Sequence, residues 1–306
     1  EDALLDFIAG LRERVEIYLQ YDGQRRATQE RLRGLDLLVV KARVVERLSG
    51  ARVFTTLVMT VVPENADQIG EVLDTAFATP YVGGVMYQPV FASGRAPAVD
   101  AMSRVTTTGV LARIAAQSGH GVGTSDLIAL PCSHPDCCSI GYFLRDRHGR
   151  FVGLASLVGE RALREHLSVF ANQIAFTETL ERVRDGLMSV MSETMTLSRP
   201  ELVTHLRTLC DACGFGGIGD LIRAAFARDA TARFVGERVK RVTIKHFMDA
   251  DTLITERLEQ CCVHVAGAGN DPVRMPFCAA RLFPKVRARA MKGMVARGEL
   301  DPAAAR

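Results

Sequence analysis

The sequence predicts an α/β fold of parallel strands joined by helical crossovers, followed by a mostly helical, cysteine-rich region. Three observations carry that expectation. Runs rich in β-branched residues alternate with amphipathic segments over residues 1–117, the rhythm of βαβ units. The central run, Arg52–Val62, is almost continuously apolar, as a strand covered on both faces should be. Composition then changes, and all eight cysteines lie beyond Gly119.

Taken in order, Ala3–Arg14 has helical apolar spacing, and "EIYLQYDG" (Glu16–Gly23) reads as a strand closed by an Asp-Gly turn. Gln29–Ser49 reads as one long helix with Leu32, Leu35, Leu38, Val39, Ala42, Val45 and Leu48 on its inner side. Arg52–Val62 is a buried strand ended by Pro63, Asp67–Phe77 a helix and Val82–Val90 a third strand. Ala98–Gln117 is read as helical. Beyond Gly119, "YFLRDRHGRFVGLASLV" reads as strand, turn, strand, and Gly159–Met191 as largely helical. "SRPE" (Ser198–Glu201) has the form of a capping box and opens a helix to Cys213. Leu253–Gln260 is a short helix leading into Cys261, and Ala279–Arg297 is a basic one. The expected domains are 1–118 and 119–306.

With 306 residues and 48% hydrophobic content, the chain is long enough for a large core. A net charge of +3, 6% aromatics and no Trp argue against nucleic-acid binding. Neither a signal peptide nor an apolar run of membrane-spanning length is visible. The chain is therefore expected to be cytoplasmic, where clustered cysteines bind metal or do redox chemistry rather than pair.

The thiols fall in three groups. "LPCSHPDCC" holds Cys132, Cys137 and Cys138; one helix end holds Cys210 and Cys213; "LEQCCVHV" and "PFC" hold Cys261, Cys262 and Cys278. Eight thiols make two sets of four, which suits iron–sulfur clusters or structural zinc. Only Cys210 and Cys213 show zinc-knuckle spacing, so collection from scattered elements favours clusters. Cys138 is included to complete the second set. His134 and His264 suit ligands or donors to a thiolate, or else are satisfied structural histidines. The competing expectation is that the thiols are small buried hydrophobes.

The segments "YLQYDG", "TLVMTV" and "GVMYQPVFASGR" resemble the C-terminal half of a radical S-adenosylmethionine (radical SAM) barrel. "RVTTTGVLARIAAQSG", "LIALPCSHPDC", "ITERLEQCCVHVAG" and "RMPFCAAR" resemble the branch of archaeal tetraether lipid synthases and their bacterial relatives. The likeness spans roughly residues 16–280. It implies the C-terminal half of a partial (β/α)6 barrel followed by a cysteine-rich iron–sulfur domain with two auxiliary [4Fe–4S] clusters. It implies S-adenosylmethionine as co-substrate, a small electron-donor protein, and reaction at an unactivated C–H carbon, with lipid-tail coupling as the specific case. The CxxxCxxC motif that holds the S-adenosylmethionine-cleaving cluster is absent. The expectation is that the chain is part of a longer parent enzyme and is inactive alone.

Barrel active sites lie at strand C-termini, which selects Gln20, Asp22, Thr60 and Gln88 as cofactor-side residues, with Ser93, Gly94 and Arg95 after the last strand. Gln20 or Asp22 suits ribose hydroxyls. Arg95 suits a carboxylate or an anionic headgroup. The basic run with Lys285, Arg287, Arg289, Lys292 and Arg297 suits peripheral contact with an anionic membrane, or is a plain solvated helix. Two further readings stay open: methylation or another C–H functionalisation on the same scaffold, and a zinc-stabilised binding or scaffold protein.

Overall fold

The computed structural model describes residues 2–11, 14–93, 100, 102–161, 227–266, 274–283 and 296–298, with isolated positions between 163 and 220. Helix α1 spans Asp2–Leu11. Strand β1 (Ile17–Gln20), helices α2 (Arg26–Arg33) and α3 (Leu38–Gly50), strand β2 (Thr55–Val61), helix α4 (Ile69–Ala78) and strand β3 (Val82–Pro89) follow. Then come α5 (Thr107–Gln117), β4 (Ile128–Ala129), β5 (Cys138–Arg145), β6 (Phe151–Gly153) and α6 (Leu154–Val158). The last elements are α7 (Arg228–Arg238), β7 (Val239–Lys245), α8 (Thr255–Glu259), a hairpin of β8 (His264–Ala266) and β9 (Arg274–Pro276), and α9 (Phe277–Leu282).

One mixed sheet organises these elements in the order β1-β2-β3-β7-β5-β4, with β6 on β5. β1, β2, β3 and β7 run parallel; β5 turns antiparallel on β7 and carries β4 and β6. The α/β expectation therefore holds at the level of class, and a partial barrel is compatible with it. The parallel run gains a fourth strand that the sequence reading did not find. β7 carries Lys240 and Arg241, which read as surface residues, yet both are buried. Lys240 survives burial because its ammonium donates to the Thr79 and Val82 carbonyls, both at 2.7 Å. The sheet therefore takes strands from both sides of residue 118.

The two faces of the parallel strands differ. One is a hydrophobic layer: Leu57, Met59 and Val61 of β2, Val85 and Tyr87 of β3, and Val242 and Ile244 of β7 pack on α4 and α5. Helix α4 brings Ile69, Val72, Leu73, Ala76 and Phe77 to it, the i, i+3, i+4, i+7, i+8 stripe of a core-facing helix. The Thr106 hydroxyl accepts from Gly109 N at 3.2 Å and caps α5. The opposite face is polar. The Arg241 Nη2 donates to Glu16 Oε1 (2.9 Å), Tyr18 Oη (3.2 Å) and Thr56 Oγ1 (3.1 Å). Gly84, at φ 149°, lies where a Cβ would run into the Arg241 backbone, so only glycine fits the crossing from β3 to β7.

Two helices differ from expectation. The segment Gln29–Ser49 is two helices, because Gly34 adopts φ 82° and closes α2 by donating to Glu30 O. The break turns Leu35 and Val39 outward instead of into the core; Val39 is 73% exposed. Helix α5 starts at Thr107, not Ala98, after its Thr106 cap. The expected helices at 159–191 and 198–213 and the basic run at 284–295 lie largely outside the described residues. Among the described residues, no helix is long and apolar enough to cross a membrane.

Candidate metal centre and strand-end polar site

Six cysteines converge. Cys132, Cys137, Cys138, Cys261, Cys262 and Cys278 line a single cavity of about 320 Å³, together with Lys245, His246 and Phe247 from the end of β7. The sheet explains the meeting. Cys138 opens β5 opposite Lys245, the last residue of β7, and His246 N donates to Cys137 O at 2.9 Å. From the other side, Phe277 N bonds Val263 O at 2.9 Å, bringing the Cys261–Cys262 pair and Cys278 to the same place. Phe91, Phe247 and Phe277 pack as an aromatic trio, with the Phe247 and Phe277 rings 4.6 Å apart. They link the end of β3 to the cavity wall.

Burial raises the pKa of Cys138, Cys262 and Cys278. It pushes Cys138 up to about 11, with Cys132 and Cys137 adding to the effect and Lys245 opposing it. Burial also pushes Cys262 up to about 12, helped by the neighbouring Cys132, Cys261 and Cys137, and raises Cys278. Each thiolate formed here makes the next harder to form. The Cys262 thiol lies against the Cys132 carbonyl, and Cys261 Sγ reaches Val263 O at 3.0 Å. Six sulfur donors around one cavity are a set whose chemistry fits a metal centre.

Among the described residues, no three His, Cys, Asp or Glu donors close around a point that would hold a single metal ion. A lone zinc needs four donors about 2.3 Å from one centre. An iron–sulfur cluster takes one thiolate per iron and so accepts donors spread around a larger body.

Cys210 is buried elsewhere. Its carbonyl accepts from Phe215 N, and the neighbouring Ala212 O accepts from Arg147 N, tying it to the β5–β6 turn. Cys213 and Arg95 lie outside the described residues. His134 turns to its own loop, where Nδ1 accepts from Asp136 N at 3.3 Å, and His264 is exposed on β8. Neither lines the cavity, whereas His246, which the sequence reading passed over, does. Burial, then Arg257 and Arg104, push its imidazole towards the neutral form.

The second site lies on the same sheet edge. Asp22 follows β1, while Thr60 and Gln88 stand in register near the ends of β2 and β3. Asp22 is fully buried. Its carboxylate accepts from Arg33 Nε (2.7 Å), Arg33 Nη2 (2.8 Å), Gln20 Nε2 (2.7 Å) and Thr60 N (3.1 Å), with Lys41 Nζ at 3.5 Å. Burial raises its pKa, but the Arg33, Gln20 and Thr60 bonds outweigh burial and hold it below the usual carboxylate range. Gln20 Nε2 also donates to Val58 O and Thr60 Oγ1, and Gln88 Nε2 lies 3.2 Å from Met86 Sδ. Asp22 and Gln20 thus already satisfy each other.

No protein-family model matches the chain. A curated relative, the 7,8-dihydro-6-hydroxymethylpterin dimethyltransferase of Methanocaldococcus jannaschii, is 23% identical over 293 residues. The match covers 86% of this chain and 55% of the relative, so the chain spans about half the length of the protein it matches.

Proposed function

We propose that the chain is the cysteine-rich part of a radical SAM enzyme that transfers methyl groups to an unactivated carbon. In this reading the six-thiol cavity holds an auxiliary iron–sulfur centre. The observation that carries it is the convergence of six thiols on one cavity at the C-terminal edge of a parallel sheet. The relative's name, a dimethyltransferase, favours methyl transfer over the lipid-tail coupling that the cysteine blocks suggested. When bound, an iron–sulfur centre supplies electron transfer or an open iron site. The chain's own residues do the rest. Cys132, Cys137, Cys138, Cys261, Cys262 and Cys278 are the pool from which ligands come. The aromatic trio packs at the wall between β3 and the cavity. No CxxxCxxC occurs in the 306 residues, so the proposal assigns S-adenosylmethionine cleavage to sequence outside them.

The test is iron, acid-labile sulfide and zinc per chain after anaerobic reconstitution, followed by product analysis of the full enzyme with methyl-labelled S-adenosylmethionine. Iron and sulfide in equal amounts, and label in the product, support the reading. Zinc without sulfide replaces it with a zinc-stabilised scaffold. Unlabelled, carbon–carbon-coupled product restores tail coupling.

A further inference from the structure

Arg257 lies in α8, four residues before Cys261, and is only 4% exposed. A buried guanidinium needs acceptors for its donors. It has two in the cavity wall: Nε donates to Cys137 Sγ at 3.2 Å, and Nη2 donates to the His246 carbonyl at 2.7 Å. The residues it joins are already coupled, since His246 N donates to Cys137 O. One side chain therefore spans the Cys132–Cys138 loop, the end of β7 and the segment leading to Cys261 and Cys262. No carboxylate is paired with Arg257 among the ion pairs of the described residues. A desolvated cation donating to sulfur is a fixed positive charge in the cavity wall, and its charge-assisted bond orients that sulfur more firmly than a neutral donor would.

We propose that Arg257 is the positioning residue of the metal centre, fixing the Cys137 sulfur in the cavity wall and setting the centre's electronic properties through the Nε–H···Sγ bond. The proposal rests on the metal-centre reading above. Hydrogen bonds to ligand sulfur draw electron density from the metal and raise its reduction potential. The bond to His246 O fixes the fork's orientation, so a point charge at this position is a partial substitute only.

The experiment loads the wild-type chain, Arg257→Met and Arg257→Lys anaerobically with iron and sulfide, and separately with zinc. Circular dichroism checks each fold. The readouts are the midpoint potential and electron paramagnetic resonance spectrum of the reduced centre, and zinc affinity against a chelator. With a cluster loaded, Arg257→Met shifts the potential to more negative values, and Arg257→Lys returns part of the shift. If the wild type takes zinc alone, the cluster reading fails but the Arg257 assignment stands on a 10- to 100-fold loss of zinc affinity in Arg257→Met, roughly the usual scale for outer-shell partners, partly restored by Lys. A folded Arg257→Met with unchanged potential and spectrum, or unchanged zinc affinity, overturns the assignment. So does an Arg257→Met that fails to fold while Arg257→Lys matches the wild type in every metal readout. A wild type that loads neither metal overturns both readings.

Discussion

The strand-end site around Asp22 and the thiol cavity beyond β7 occupy one edge of one sheet, yet they are built on opposite plans. At Asp22 every strong acceptor meets a donor of the same chain: Arg33, Gln20, Thr60 N–H and Lys41 close on one carboxylate. In the cavity, six cysteines line one space, and Cys138 and Cys262 are pushed up to about 11 and about 12, chiefly by desolvation. The first group is complete as it stands. The second gathers six sulfur donors, which the proposed metal centre would use. One site is thus built of polar groups that pair with each other, the other of sulfur donors gathered on a shared cavity.

The comparison can be broken by substitution. The largest effect is expected in the cavity: Cys261→Ala or Cys137→Ala should lose most of the bound metal, measured as iron, sulfide and zinc per chain, because ligand loss opens the site. Next comes the polar face. Glu16→Gln takes the carboxylate from Arg241, whose side chain is 1% exposed, and should cost about 3–5 kcal/mol, read by urea denaturation. Asp22→Asn should cost less, about 2–3 kcal/mol, since Arg33 is partly exposed and regains water. It should leave metal content unchanged.

Asp22 also predicts a pH dependence. Its folded pKa lies below the unfolded value, so its stabilisation is full above about pH 4 and is lost as pH falls through the lower, folded value. Asp22→Asn should flatten the acid limb of the stability curve in that window; an unaltered limb assigns acid unfolding to other groups. The smallest effect is expected at Cys210, buried apart from the cavity. Cys210→Ala should cost about 1 kcal/mol.

What the sequence made legible follows from what each element demands of its residues. β2 was readable because a strand covered on both faces needs the apolar run Thr55–Val61. The meeting of the thiol blocks was legible only in part: six cysteines share the cavity, while Cys210 is buried apart from them. β7 was not, since Lys240 and Arg241 look like surface residues until the Thr79 and Val82 carbonyls and Glu16 are in place. Gly34 hid the break between α2 and α3, because a single glycine in a helical pattern reads equally as tolerated. Gln20 and Asp22 lie at the end of β1, but the donors around the carboxylate come from residues 20, 33, 41 and 60 and have no sequence pattern. Arg257 and His246 were invisible for the same reason: their meaning lies in contacts with Cys137, more than 100 residues away.

The most direct test of the division between the two sites is the iron and acid-labile sulfide held per chain by Cys261→Ala and Asp22→Asn, reconstituted side by side with the wild type. The account predicts that Cys261→Ala falls well below the wild type while folded Asp22→Asn matches it. Equal loss in both, or loss in Asp22→Asn alone, would contradict it.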